Sequence, residues 1–309
     1  MSPAAAVQGG KETGRVDHLL PIRYGRMLQT LEVWYARIDS EDILGLLPNA
    51  RMNARVRQRI AKATERRGSE VDFPELAGMV GGRIRIRDNP PLIFHPEAAE
   101  AKDFQAIMEG RLAVYRESLS DDRRILLDRY RAVDGAMKVV GIGSVGTRCM
   151  IILMMSVSNE PLFLQWKEAR SSVLEPYAGK SAYSHHGQRV VMGQRLMQPA
   201  TDIFLGWLTG REGHHAYVRQ LRDAKIKPLV DAFDAEMLYI FAKACGWALA
   251  RAHAKAGDTL TISGYLGTKD PFDEAMGDFA LAYADQAERD HAALKAAVRA
   301  GKIKVYLEE

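Results

Sequence analysis

The chain has 309 residues, 47% hydrophobic and 27% charged, with a net charge of +4. That composition is ordinary for a globular protein and supports a sizeable core in one large bilobal domain or two domains, and the chain shows no internal repeat and no low-complexity tract. Two cysteines, Cys149 and Cys245, form no disulfide framework and no zinc pattern, so buried, reduced thiols are expected.

The first residues lack the apolar stretch of a signal peptide. The longest strongly apolar run, residues 149–155, is far short of the ~20 residues of a membrane span. The expectation is a soluble, cytoplasmic protein. A mildly basic balance suits phosphate-bearing ligands without requiring one.

Residues 1–16 predict a disordered start. Residues 17–132 read as a mainly helical leading region with one strand segment. Within it, residues 29–46 carry helical apolar spacing, with a second helix start at Ser40. Residues 50–67 place Met52, Val56, Ile60 and Ala63 on one helical face and arginines on the other. No aromatics interleave with those arginines, so a solvated basic face is favoured over a nucleic-acid surface. Ile84 and Ile86 alternate with arginines as in a strand, closed by Pro90-Pro91. Helices are expected from about residue 98 to 118 and from 121 to 133.

Residues 133–228 read as a strand-rich, nucleotide-binding-like lobe. Residues 188–198 and 215–225 are expected to hold short strands. Residues 229–309 read as a helical C-terminal region, long, Ala-rich and amphipathic. Strands segregated from helices predict an α+β fold.

The densest chemistry lies in "KVVGIGSVGTRCMIILMMSVSNEPLFLQWKEA", where Gly141, Gly143 and Gly146 read G-x-G-x-x-G. The spacing alone is a weak signal, and three phosphate cradles compete for it. A P-loop requires Lys-Ser/Thr after its last glycine, and here Thr147-Arg148 follows Gly146. A dinucleotide fold requires a helix after the glycines, whereas "TRCMIILMMSV" is strand-like. The kinase type joins two antiparallel strands with the glycines and sets a lysine on the next strand. Lys167 occupies that place, and Ser144 and Thr147 are candidate phosphate contacts. Gln165 shares the Lys167 face by alternation and is expected to line the base pocket, while Glu168 points the other way. Glu175 is the candidate acid to orient Lys167. The plainer alternative is a hairpin whose glycines only permit tight turns, with Lys167 at the surface.

His185-His186 and His214-His215 invite a metal reading, but adjacent histidines on a strand face opposite ways, so loop polars are preferred and no metal is expected. His253 is expected to be a core or hydrogen-bonded histidine. The acids of the C-terminal region, Asp270 to Asp290, are expected on a helix surface, and Cys149 as a buried, inert thiol.

Longer phrases carry a resemblance: "LLPIRYGRM", "KVVGIGSVGTRC", "LFLQWKEARSSVLE", "HHGQRVVMGQRLMQPATDIFLGW", "YVRQLRDAKIK", "CGWALARAHAKAGD" and "FALAYADQ". With these the chain resembles the bacterial domain-of-unknown-function 2252 family (DUF2252) over most of residues 15–300. The family looks related to kinase-like phosphotransferases of the aminoglycoside-kinase sort. The resemblance implies a kinase-like fold, ATP as ligand, Mg only with ATP, and Gly141, Gly143, Gly146 and Lys167 as nucleotide-binding positions; it assigns no substrate.

The resemblance also marks a departure. The family's G-D-x-H-x-x-N-F-G and F-D-x-N-D-F-D phrases, which look like a catalytic loop and a metal-binding acid, do not occur here. "RYGRM" runs almost directly into "LQTLEVWYARID", so roughly a hundred residues, the size of a small domain, are missing near Leu28. The chain has four asparagines, Asn49, Asn53, Asn89 and Asn159, and after the glycines only the turn residue Asn159 follows. The expectation is therefore a nucleotide-binding protein inactive in phosphotransfer. An active small-molecule phosphotransferase with unidentified acids and a non-catalytic, partner-binding remnant are the alternatives. No membrane and no nucleic-acid partner is expected.

Overall fold

The computed structural model describes residues 32–37, 39–45, 47, 50–65, 73–96, 104–141, 146–210, 213–221, 230, 233–267 and 270–305. The expected disordered start lies outside them. The chain divides into two compact units, Met1–Pro48 with Pro228–Glu309, and Asn49–Lys227. The first described elements of the former unit are two short helices, α1 (Glu32–Tyr35) and α2 (Ser40–Gly45).

The unit Asn49–Lys227 starts with α3 (Ala50–Glu65). A two-stranded antiparallel hairpin follows, β1 (Ala77–Val80) and β2 (Arg83–Ile86). It turns on Gly81 and Gly82, both at positive φ (57° and 77°), a turn open to glycine without steric cost.

Six further strands are β3 (Ile93–Phe94), β4 (Tyr130–Lys138), β5 (Cys149–Ser156), β6 (Pro161–Glu168), β7 (Gly206–Thr209) and β8 (His215–Gln220). They form one sheet ordered β3-β4-β5-β6-β8-β7, every neighbouring pair antiparallel. The mixed helical and antiparallel character expected from the order of patterns is present.

β5 and β6 are buried on both faces, which is why their sequence reads as continuous apolar runs. One face, through Ile152, Met154, Leu164 and Val218, packs on Met108 and Tyr115 of α4 (Phe104–Glu117) and Leu127 of α5 (Asp121–Leu127). The other, through Ala136, Ile151, Leu153 and Phe163, packs on Leu76, Ile86 and Ile93. Each buried Val, Leu, Ile, Met or Phe among them contributes about 1.5–3 kcal/mol.

A bulge between Ala132 and Asp134 lets β4 serve both faces. Ala132 belongs to the first cluster and Ala136 to the second, although strict alternation would put them on one side. The bulge also turns Asp134 inward, 8% exposed. Its carboxylate accepts the Ile86 N–H at 2.7 Å and faces His95 Nε2 at 3.0 Å, while His95 Nδ1 meets Asp88 at 2.8 Å. The β1–β2 hairpin and β3 are thereby tied to β4 by satisfied polar contacts.

Three local expectations are corrected. Residues 188–198, read as strand-like, form helix α7 (His186–Met197), which follows α6 (Glu175–Ala178). His185 starts α7 by accepting the Gln188 N–H at Nδ1, and Val191 is fully buried against the sheet. Next, the helix expected over 121–133 ends at Leu127, and β4 begins at Tyr130, because sheet pairing captures residues 130–133. Finally, Cys245 is exposed rather than buried.

In the other unit, α8 (Ala235–Ala256), α9 (Thr259–Leu266) and α10 (Pro271–Arg299) follow one another. Asp234 and Asp258 cap α8 and α9 by accepting N–H groups of their first turns. The buried Arg251 guanidinium of α8 donates to the Ala36 carbonyl, and Lys255 lies 4.4 Å from the Trp34 ring centroid, which docks α8 on α1. His253 is exposed on α8, which removes the core place from the expectation of a core or hydrogen-bonded histidine. Among the described residues no helix is long and apolar enough to cross a membrane.

Candidate functional site

β4 and β5 pair antiparallel, and residues 139–148 connect them. Gly141 and Gly146 are described; Gly143 and Ser144 lie outside the described residues. No helix follows Gly146, since β5 starts at Cys149. That removes the dinucleotide-type arrangement and leaves a connection between antiparallel strands, as the strand-loop-strand reading expected.

The two glycines differ. Gly146 holds φ +76°, where an L side chain is strained. At Gly141 φ is not positive, and a Cβ would meet nothing within 4 Å. Among the described residues neither conformation nor packing demands glycine there.

Lys138 immediately precedes the connection and Cys149 immediately follows it. In register, Cys149 is opposite Lys167, Lys167 is opposite Tyr217, and Gln165 is opposite Arg219. All five side chains therefore share one face, at the end of the sheet nearest the glycines. The Cys149 thiol feels the charges of Lys167, Lys138 and Arg219 together, yet burial pushes its pKa up. It is a protonated, poorly reactive thiol, as expected.

Burial, and next the adjacent Arg219 guanidinium, hold the Lys167 ammonium below its usual range. Among the described residues no carboxylate forms an ion pair with Lys167 or Arg219. Half-buried like charges set side by side without an acid repel one another, and an anion between them relieves that cost.

Gln165 shares the Lys167 face as alternation predicted, and is only 3% exposed. Its amide is engaged within the sheet: Oε1 accepts from Arg219 Nε at 3.2 Å and Nη2 at 3.1 Å, and Nε2 donates to Cys149 Sγ at 3.5 Å. Glu175 is the first residue of α6 and half-buried; among the described residues it forms no ion pair with Lys167.

Glu168, on the opposite face as expected, accepts the Arg148 N–H at 2.9 Å and Arg170 Nε at 2.9 Å. The Arg170 guanidinium, followed by Arg148 and His214, holds this carboxyl below its ordinary value. Arg170 Nη2 also donates to the Gly146 carbonyl at 2.6 Å. The end of the glycine connection is thus braced by an ion pair that the sequence reading did not identify. Arg189 of α7 in turn donates to the Arg170 carbonyl at 2.8 Å.

The histidines are not separate loop polars. His185 and His215 stack with ring centroids 3.9 Å apart, and His186 meets His215 edge-on at 5.2 Å. His215 Nδ1 accepts the His186 N–H at 3.0 Å. Among the described residues no group of three or more His, Cys, Asp or Glu side chains is placed to hold a metal ion.

Arg219, Lys138 and Arg170 were missed as site residues. The alternation of "HAYVRQ" does put Tyr217 and Arg219 on one face, but only strand pairing shows that this face is also that of Lys167. A family model described as "Uncharacterized protein conserved in bacteria (DUF2252)" matches residues 21–297. No curated protein and no solved structure matches the chain.

Proposed function

The chain belongs to the DUF2252 family, and from that premise we propose that it is a kinase-like protein that binds a nucleotide but has lost phosphotransfer. The observation that carries this reading is the half-buried Lys167, with no paired carboxylate among the described residues, opposite the first residue after the glycine connection. Backbone N–H groups around Gly141, Gly143, Ser144 and Gly146 cradle phosphate oxygens, and Lys167 supplies a point charge. ATP is the nucleotide, and Mg arrives with it rather than in a protein cage.

Loss of transfer rests on the missing G-D-x-H phrase and on the lack of any asparagine downstream of the glycines except Asn159, in the turn between β5 and β6, since phosphoryl transfer needs such groups to fix Mg and position the acceptor. Loss of a packed segment also accounts for the row Phe272, Met276, Phe279 and Tyr283 along α10, all four exposed.

The test is thermal unfolding with MgATP. Saturation about a hundredfold above Kd stabilises by about 2.7 kcal/mol, a rise of several degrees. Wild type should show the rise and Lys167→Met should lose it. No rise in wild type, or an equal rise in the variant, overturns the reading.

A further inference from the structure

Gln165 is a nearly fully buried amide in the middle of a strand, a costly place for a polar side chain unless its groups are satisfied. Both its ends are satisfied by neighbours on its own face. The carbonyl takes two N–H groups of one guanidinium, which fixes the Arg219 plane and leaves the Nη1 edge to point elsewhere. Arg219 is held diagonally across β6 and β8 from Lys167 instead of extending into solvent.

We infer that Arg219, positioned by the Gln165 carbonyl, is the second cation of the site, and that the ligand it selects is a chain of two or more phosphates. The inference deepens the reading of Lys167 as a phosphate-binding cation and rests on it. Lys138 adds a further positive charge at the start of the glycine connection. A single phosphate group carries about −1.5 to −2 at pH 7. Lys167 and Arg219 side by side, with Lys138 nearby, match the higher charge of a diphosphate or triphosphate chain better. The planar fork of Arg219 takes two oxygens at once, and the Lys167 ammonium takes a third as a point charge.

Titration calorimetry at low salt, with inorganic tripolyphosphate, pyrophosphate, phosphate and ATP, decides it. Wild type should bind tripolyphosphate and ATP alike and phosphate at least about tenfold more weakly. Arg219→Met should weaken tripolyphosphate by about tenfold or more, the worth of one charge-assisted contact. Removing Arg219 leaves the buried Gln165 carbonyl without its two donors, a cost to folding, so Gln165→Glu serves as an independent arm. A carboxylate there pairs with Arg219 and Lys167, and should raise thermal stability while abolishing tripolyphosphate binding.

Equal affinity of Arg219→Met and wild type overturns the inference while leaving Lys167 and ATP binding intact. Tripolyphosphate binding that needs Arg219, without ATP binding, sustains it and overturns the nucleotide reading. Phosphate binding as tight as tripolyphosphate, or no anion binding by wild type, overturns it.

Discussion

Gly141 and Gly146 sit near the two ends of one connection for different physical reasons. The backbone of Gly146 is left-handed, and an alanine there should cost about 1–2 kcal/mol whether or not a ligand is bound. Gly141 has room for a Cβ, so Gly141→Ala should leave stability within about 0.5 kcal/mol of wild type. If phosphates approach that Cα, the same methyl should nonetheless weaken ATP binding. Parallel denaturant and ligand titrations on the two variants separate conformational from contact roles; equal loss of stability in both would refute the distinction. The motif spacing treats the glycines alike, and only the backbone angles tell them apart. That Lys167 and Gln165 share a face was legible because strand alternation is a local rule. Arg219 was not, because its place depends on which strand pairs with β6.

Helix α7 shows how a short apolar run deceives. Val190 and Val191, followed by Leu196 and Met197, suit a strand as well as a helix. The deciding features are the His185 cap and the close seat of Gly187, where a Cβ would fall 2.1 Å from the Ala216 carbonyl oxygen. That docking should be pH-sensitive. Burial, with each ring's charged neighbour histidines, holds His185 and His215 below their ordinary value of 6.5. Both accept backbone N–H groups at Nδ1 and are neutral in the fold. The unfolded chain therefore binds more protons just below pH 6.5, so this stability is full above 6.5 and is lost as pH falls toward the folded values. The carboxyls held low, Glu168 among them, act in a separate window below about 4.5. The urea midpoint should fall between pH 7 and pH 5. His185→Asn, which keeps a capping acceptor without titrating, should flatten the fall; an unchanged slope would contradict the assignment.

At the scale of the molecule, the antiparallel sheet with helices on its face and the helical final region were readable from period and composition. The chain's division into Asn49–Lys227 and a unit joining residues before Pro48 to those after Pro228 was not, because it depends on contacts far apart in sequence. Arg251 meeting Ala36 is one such contact, and nothing local marks it. The family resemblance, over most of residues 15–300, covers nearly the stretch 21–297 that the family model matches, yet it names no substrate, so the proposed function rests on the charge arrangement at one end of the sheet.

The central claim is binding of a phosphate chain without its transfer. Phosphorus NMR of MgATP with an equimolar amount of protein tests both halves in one sample. The account predicts that wild type broadens the β- and γ-phosphate signals, that Lys167→Met does not, and that no inorganic phosphate signal grows over hours. Sharp, unshifted signals with wild type would contradict the binding, and a phosphate signal that grows with wild type but not with Lys167→Met would contradict the loss of transfer.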